Sequence, residues 1–139
     1  MTRELFVDTG AWLAVLDPRD KYHQVAATFY RKALTRYPRL LLTNLVTAET
    51  YISVLRNAGY HKALSFLNVI EQSPSVQCIW SGKEIEMQAR DILRRYDGQD
   101  FSYTDAVSFA LMKQRSLTEA FTFDHHFTIA GFVQLPLEQ

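Results

Sequence analysis

Short apolar runs alternate with segments of helical periodicity along most of the chain. The runs 5–7, 40–42, 76–80 and 120–123 are rich in Leu, Val, Ile and Phe and are bounded by polar or turn residues, so they predict buried strands. Residues 132–135 are predicted to form a fifth strand. Strands that alternate with helices predict an α/β fold, a five-stranded and mostly parallel sheet flanked by helices on both faces.

Two of the predicted helices carry apolar positions that bear on the location of a site. Residues 44–58 form one of them, and its apolar residues with helical spacing should face the core; these are Leu45, Ala48, Ile52 and Leu55. Residues 102–116 form the other, and the unbroken run of mostly apolar residues 106–112 predicts that this helix lies in the interior.

Length and composition restrict the class of protein. A chain of 139 residues, 47% apolar and with zero formal net charge, predicts one globular domain over residues 1–139 rather than a strongly basic nucleic-acid-binding protein. Its one cysteine, Cys78, argues against a disulfide framework and a multi-cysteine zinc site. Acidic residues near the N-terminus and the lack of a long apolar run predict a cytoplasmic protein with no membrane segment.

Four acidic residues occupy positions where a ligand site can form. Asp8 and Asp124 each follow a predicted strand, and ligands of open parallel sheets bind beyond the carboxyl ends of the strands. Glu49 lies at the edge of an apolar helix stripe, and Asp105 lies three residues after Ser102, in the first turn of the interior helix. Taken one at a time, each has a structural explanation, namely a helix cap or a paired carboxylate at the edge of the core.

Converging carboxylates have a joint chemical explanation. Two such charges at 4 Å repel by about 4 kcal/mol at an effective dielectric constant of 20, so a cluster persists only with a cation among its members. Oxygen ligands select a hard divalent ion, Mg²⁺ or Mn²⁺. Sites of this kind suit phosphodiester hydrolysis by a metal-activated water.

Four segments carry a family resemblance. Residues 5–12, the helix with Glu49, residues 101–106 and residues 121–127 resemble the acidic motifs of PIN-domain ribonucleases, in the order and spacing of VapC-type toxins of toxin–antitoxin modules. The resemblance implies a metal-dependent endoribonuclease. In such an enzyme a metal-activated water, held by four carboxylates, hydrolyses the phosphodiester bonds of RNA. The resemblance also implies a homodimer that a cognate antitoxin neutralises. The implied metal ligands are Asp8, Glu49, Asp105 and Asp124, and Thr104 is implied to help orient the catalytic site.

A basic cluster and a pair of histidines have less direct functional interpretations. The basic residues Arg31, Lys32 and Arg36 cluster on one predicted helix, which predicts either a solvated face or a surface that attracts the RNA backbone. His125 and His126 are adjacent, so their side chains diverge and a shared metal is not expected. They are predicted to be structural or solvent-facing, with the first placed to contact substrate.

Other functions remain open at this level. Residues 7–11 also resemble the active-site loop of retroviral-type aspartic proteases, but those proteins are nearly all β, whereas this sequence is rich in helical periodicity. A PIN-fold nuclease that processes RNA without an antitoxin, and a non-catalytic RNA-binding or interaction module, are the two remaining alternatives.

Overall fold

The sheet is built from five short strands. The computed structural model describes residues 3–137, in which β1 is Glu4–Val7, β2 is Arg39–Thr43, β3 is Val76–Ile79, β4 is Glu119–Phe121 and β5 is Val133–Leu135. Their order across the sheet is β3-β2-β1-β4-β5, and each neighbouring pair is parallel. The predicted α/β fold with a five-stranded sheet is therefore confirmed.

Helices connect the strands. They are α1 Thr9–Leu16, α2 His23–Arg36, α3 Asn44–Ala58, α4 Tyr60–Gln72, α5 Lys83–Arg95, α6 Tyr103–Gln114 and α7 His126–Ile129. Within residues 3–137, none of them is long and apolar enough to cross a lipid bilayer.

The strand order creates a crevice in the middle of the sheet. From β1 the chain moves outward through β2 to β3, and then returns to the other side of β1 to form β4 and β5. Because crossovers between parallel strands are right-handed, this reversal puts α1–α4 on one face and α5–α6 on the other. The connections that leave β1 and β4 diverge, so their carboxyl ends border an open crevice, the usual ligand position in such sheets.

Helix α6 is the interior helix that the sequence predicts. Residues 104–112 are all buried, including the polar side chains of Thr104, Asp105 and Ser108. The first turn of α6 carries Asp105, so the apolar body of the helix fixes this carboxylate in place.

Helix α3 turns a different face to the core than the apolar stripe predicted. Val46, Thr50 and Val54 are the buried residues, whereas Ala48 and Ile52 are exposed. Leu45 and Leu55, the rest of the predicted stripe, are partly buried. The prediction was wrong because apolar residues occupy two sides of this helix, and periodicity cannot tell which side contacts α1 and α4.

Candidate active site

An acidic cavity of about 570 Å³ lies at the carboxyl ends of β1 and β4. The four acidic residues predicted from the sequence all line it: Asp8, Glu49, Asp105 and Asp124. Asp20 and Asp100 also line it, and neither was assigned to the site from the sequence. The fold thus brings together carboxylates that lie far apart along the chain.

Asp8 is the most deeply buried of these carboxylates. It occupies the N-cap position of α1, yet its side chain makes no cap hydrogen bond. Instead, Thr122 Oγ1 donates to Asp8 Oδ2 at 3.1 Å. Burial, followed by the charge of Asp105, raises the pKa of Asp8 to about 7, although the Thr9 backbone N–H and the Thr122 hydroxyl act in the opposite direction. At neutral pH a carboxylate with this pKa is only partly ionised. A nearby cation would favour its ionised form.

Asp105 is held by a capping box at the start of α6. Its backbone N–H donates to Ser102 Oγ at 3.0 Å, and the Ser102 backbone N–H donates to Asp105 Oδ2 at 3.2 Å. Burial raises the pKa of Asp105 and the nearby charge of Asp124 adds to this rise, while Ser102 and His126 oppose it. Asp105 therefore caps α6, as expected of an acidic residue in the first turn of a helix, and it also lines the cavity.

Asp124 and His126 complete the inner wall of the cavity. Asp124 Oδ1 accepts the His126 backbone N–H at 2.9 Å, which fixes the entry to α7. His126 Nδ1 lies 3.4 Å from carboxylate oxygens of both Asp105 and Asp124, and its Nε2 lies 3.0 Å from Asp100 Oδ1. Burial lowers the pKa of His126, but Asp124, Asp105 and Asp100 together raise it above the usual value.

The two adjacent histidines differ from the sequence-based expectation. His126 lines the cavity, whereas the His125 side chain is 78% exposed and is not among the lining residues. The expectation that the two side chains diverge was wrong, because their ring centroids lie 4.8 Å apart. It is the second histidine, and not the first, that lines the site. The turn at Asp124 that starts α7 decides which one points inward.

Glu49 lies at the outer edge of the cavity. It is exposed on α3, and Thr9 Oγ1 donates to Glu49 Oε1 at 3.0 Å. This hydrogen bond joins the start of α1 to the helix that follows β2. Glu49 thus adds a carboxylate to the solvent side of the cavity.

The structure does not bring Thr104 into the cavity. Thr104 is buried, its carbonyl accepts the Ser108 hydroxyl at 2.9 Å, and it is absent from the cavity wall. The hydroxyls that contact site carboxylates belong to Thr9, which donates to Glu49, and to Thr122, which donates to Asp8; sequence reasoning missed Thr122. A polar residue inside the predicted apolar strand 120–123 was the available signal.

The basic residues Arg31, Lys32 and Arg36 also lie outside the site. All three are exposed on α2, and none lines the cavity. The lysine that does so is Lys21, from the loop between α1 and α2.

The arrangement suits a divalent cation. Within residues 3–137, no Arg or Lys forms an ion pair with Asp8, Glu49, Asp105 or Asp124. Ligand atoms of Asp105, Asp124 and His126 lie within 4.8 Å of one another. Carboxylate oxygens are the ligands that hard divalent ions prefer, and the negative charge of the cluster, which His126 balances only in part, attracts such an ion.

Both the sequence and the fold of this chain match those of known proteins. Residues 5–133 match the PIN domain family. The chain is 32% identical over 131 residues to the 23S rRNA-specific endonuclease VapC20 of Mycobacterium tuberculosis, an alignment that covers 94% of this chain and 97% of that protein.

Solved structures agree with this match. The crystal structure of M. tuberculosis VapC20, described as a toxin that cleaves the sarcin–ricin loop, superposes with a TM-score of 0.85 at 30% identity and covers 93% of this chain and 96% of that chain. A chain of a toxin–antitoxin complex from Klebsiella pneumoniae superposes with a TM-score of 0.72. It is 16% identical, with coverage of 97% of this chain and 99% of that one, so this likeness concerns the fold alone.

Proposed function

The chain belongs to the PIN-domain family, and on that premise we propose that it is a metal-dependent endoribonuclease, the toxin of a toxin–antitoxin pair. The observation that carries this proposal is the convergence of four carboxylates at the central crevice of the sheet, where none of them is ion-paired with an Arg or Lys of the described residues. The similarity to VapC20, a 23S rRNA-specific endonuclease, makes ribosomal RNA the first substrate to test.

The proposed ligands of Mg²⁺ or Mn²⁺ are Asp8, Glu49, Asp105 and Asp124. A bound ion would supply a Lewis acid that polarises the phosphate and lowers the pKa of a water. Because water and not the ribose 2′-hydroxyl is the nucleophile, the products should carry 5′-phosphate and 3′-hydroxyl ends.

Neighbouring groups hold these carboxylates in position. Thr122 donates to Asp8, and Ser102 holds Asp105 through the capping box. Thr104 precedes Asp105 in the buried first turn of α6, so we assign it an indirect role in fixing that turn. His126 lies between Asp100 and the Asp105–Asp124 pair, so its side chain reduces the repulsion among these carboxylates when it is protonated.

Incubation of the purified protein with total RNA tests the proposed activity. With Mg²⁺ or Mn²⁺ we expect discrete cleavage of ribosomal RNA, and with excess EDTA we expect none, because the carboxylates then have no ion to hold. Mapping of both ends should give 5′-phosphates and 3′-hydroxyls. RNA binding without cleavage would favour the non-catalytic RNA-binding module, and cyclic phosphate ends would rule out water as the nucleophile.

A second cavity offers a site for the antitoxin. It measures about 620 Å³ and lies between α1, α3 and α4, where its apolar wall includes Leu16, Val54, Phe66 and Val69. Asp20 lines both this groove and the acidic cavity. An apolar helical segment of an antitoxin bound in the groove can therefore extend past Asp20 and insert an Arg or Lys among the carboxylates.

A homodimer is the other proposed assembly. Ile52 is 41% exposed and lies with exposed Ala48 on the face of α3 that does not enter the core. A second copy of the chain would remove this apolar face from water, which is favourable by roughly 25 cal/mol per Å² of apolar surface.

Co-expression with the neighbouring gene product, followed by purification and light scattering, tests both partners. The complex should contain a small antitoxin and two copies of this chain. Val69→Asp should abolish antitoxin co-purification, because a charge would be buried in the apolar groove. Ile52→Asp should give monomers that still bind the antitoxin. Failure of any neighbouring product to bind would favour an RNA-processing nuclease without an antitoxin.

A further inference from the structure

The loop between α1 and α2 adds an aromatic and basic rim to the acidic cavity. Lys21 and Tyr22 from this loop line the cavity together with Phe123, the residue before Asp124. The Tyr22 and Phe123 rings are stacked, with centroids 4.4 Å apart and planes 3° from parallel. Phe123 packs against the core, whereas Tyr22 remains 40% exposed, so the stack presents Tyr22 to solvent.

Hydrogen bonds hold the loop in a defined conformation. Asp20 Oδ1 accepts the Tyr22 backbone N–H at 2.8 Å, and the Asp17 carbonyl accepts the Asp20 N–H at 3.0 Å. The Asp17 carboxylate accepts the Arg19 N–H at 2.9 Å, and Arg19 Nη2 donates to the Asn57 carbonyl of α3 at 3.1 Å. A ligand that contacts Tyr22 therefore meets a surface that is already ordered, which reduces the entropy cost of binding.

Lys21 contributes a basic side chain to a largely acidic cavity wall. Of the described residues that line the cavity, Lys21 is the only Lys or Arg, whereas six are acidic: Asp8, Asp20, Glu49, Asp100, Asp105 and Asp124. Its Nζ lies 5.0 Å from the centroid of the Tyr22 ring. A polyanion that approaches this wall meets one Lys side chain next to an aromatic surface.

We propose that Tyr22, supported by Phe123, stacks an unpaired RNA base beside the scissile phosphate, and that Lys21 binds a backbone phosphate of the same strand. This inference rests on the proposed nuclease function and assigns to that site a base-stacking residue and a phosphate-binding residue that are distinct from the proposed metal ligands. A duplex keeps its bases stacked within the helix, so it cannot present one to Tyr22.

The chemistry of the rim matches single-stranded RNA. Single-strand binding sites combine aromatic stacking platforms with basic groups that follow the backbone. An exposed contact between an ammonium and an aromatic ring is weaker than stacking of a base on that ring, so an entering base displaces the Lys21 ammonium. The displaced ammonium remains within reach of the adjacent phosphate because Lys21 precedes Tyr22 in the chain.

Steady-state cleavage of a ribosomal RNA fragment that contains the mapped site tests the rim. Tyr22→Leu removes the stacking surface but keeps an apolar side chain, and we expect its KM to rise about tenfold with kcat unchanged. Tyr22→Trp should restore the low KM. Lys21→Gln should raise KM severalfold and lower the slope of log KM against log salt concentration by roughly 0.7, the value for one phosphate contact on a single strand.

Matched variants and a binding measurement separate this inference from the nuclease proposal. Tyr60→Leu and Lys113→Gln alter exposed residues outside both cavities and serve as controls. Binding of a fluorescein-labelled, random-sequence 12-nucleotide RNA is measured by anisotropy in an Asp8→Asn, Asp105→Asn background, with and without Tyr22→Leu. If the wild type cleaves no RNA but this binding weakens with Tyr22→Leu, the nuclease proposal is wrong. The proposed contact between the rim and RNA is then still supported.

Other results would contradict the proposed contact between the rim and the RNA substrate. Unchanged KM values for Tyr22→Leu and Lys21→Gln in a protein that cleaves RNA would show that neither residue contacts the substrate. A loss of kcat alone, together with a lower melting temperature, would show that the stack only supports the fold. Unchanged RNA cleavage with weakened antitoxin binding would assign the rim to the antitoxin.

Discussion

Asp105→Asn should reduce RNA cleavage by at least about 10²–10³-fold while the domain remains folded. The asparagine side chain has the same shape, and its carbonyl oxygen can still accept the Ser102 backbone N–H, so the capping box that starts α6 survives. What is lost is a negative charge and a strong cation ligand in the centre of the cavity. Initial cleavage rates at saturating Mg²⁺, with circular dichroism of the same sample, measure the two effects separately.

Asp91→Asn is the matched control for this substitution. Asp91 lies on α5, its side chain is 69% exposed, and it pairs only with Arg94 among the described residues. It should keep wild-type activity because surface ion pairs contribute little. If Asp105→Asn instead unfolds the domain while its folded fraction cleaves RNA at the normal rate, Asp105 is a structural cap and the proposed site is wrong.

In the absence of metal, the protein should become less stable as the pH rises from 5 to 8. In the folded protein the pKa of Asp8 is about 7, far above the ordinary value of 3.8. Between these values the folded state retains a proton that the unfolded state has lost, so this stabilisation is complete below about pH 4 and disappears as the pH passes 7. Three pKa units correspond to about 4 kcal/mol, or on the order of 10 °C in melting temperature.

Other groups at the site act in the same direction. The pKa values of Asp105 and His126 are also raised, so both groups likewise lose stabilising protonation as the pH rises. Thermal melts in EDTA across this pH range measure the total effect. Asp8→Asn should remove most of the slope, and a wild-type curve that is flat, or that rises with pH, would contradict this account of Asp8.

Divalent metal should reverse the loss of stability at pH 8. An ion that binds only the folded state, at 100 times its dissociation constant, stabilises that state by about 2.7 kcal/mol. The melting temperature of the wild type should therefore rise with Mg²⁺ or Mn²⁺, and the Asp8→Asn, Asp105→Asn double variant should show almost no rise. An equal rise in both proteins would place the metal elsewhere.

The strands and the order of the acidic residues could be predicted from the sequence because they depend on local pattern. Apolar runs such as 40–42 can be buried only as strands or core helices, and their length and alternation with helices favour a parallel sheet. In such a sheet the residue that follows a strand lies at a known edge. Asp8 and Asp124 could therefore be assigned to one end of the molecule without knowledge of any contact.

Only the tertiary structure decided which partner each of these residues meets. The Thr122–Asp8 hydrogen bond joins positions 114 residues apart, and it exists because β4 pairs with β1, which no local pattern specifies. The inward turn of His126 and the stack of Tyr22 on Phe123 depend in the same way on how distant segments meet. Periodicity shows that a segment such as α3 has apolar faces, but packing against neighbouring elements selects the face that becomes core and the side chains that reach the cavity.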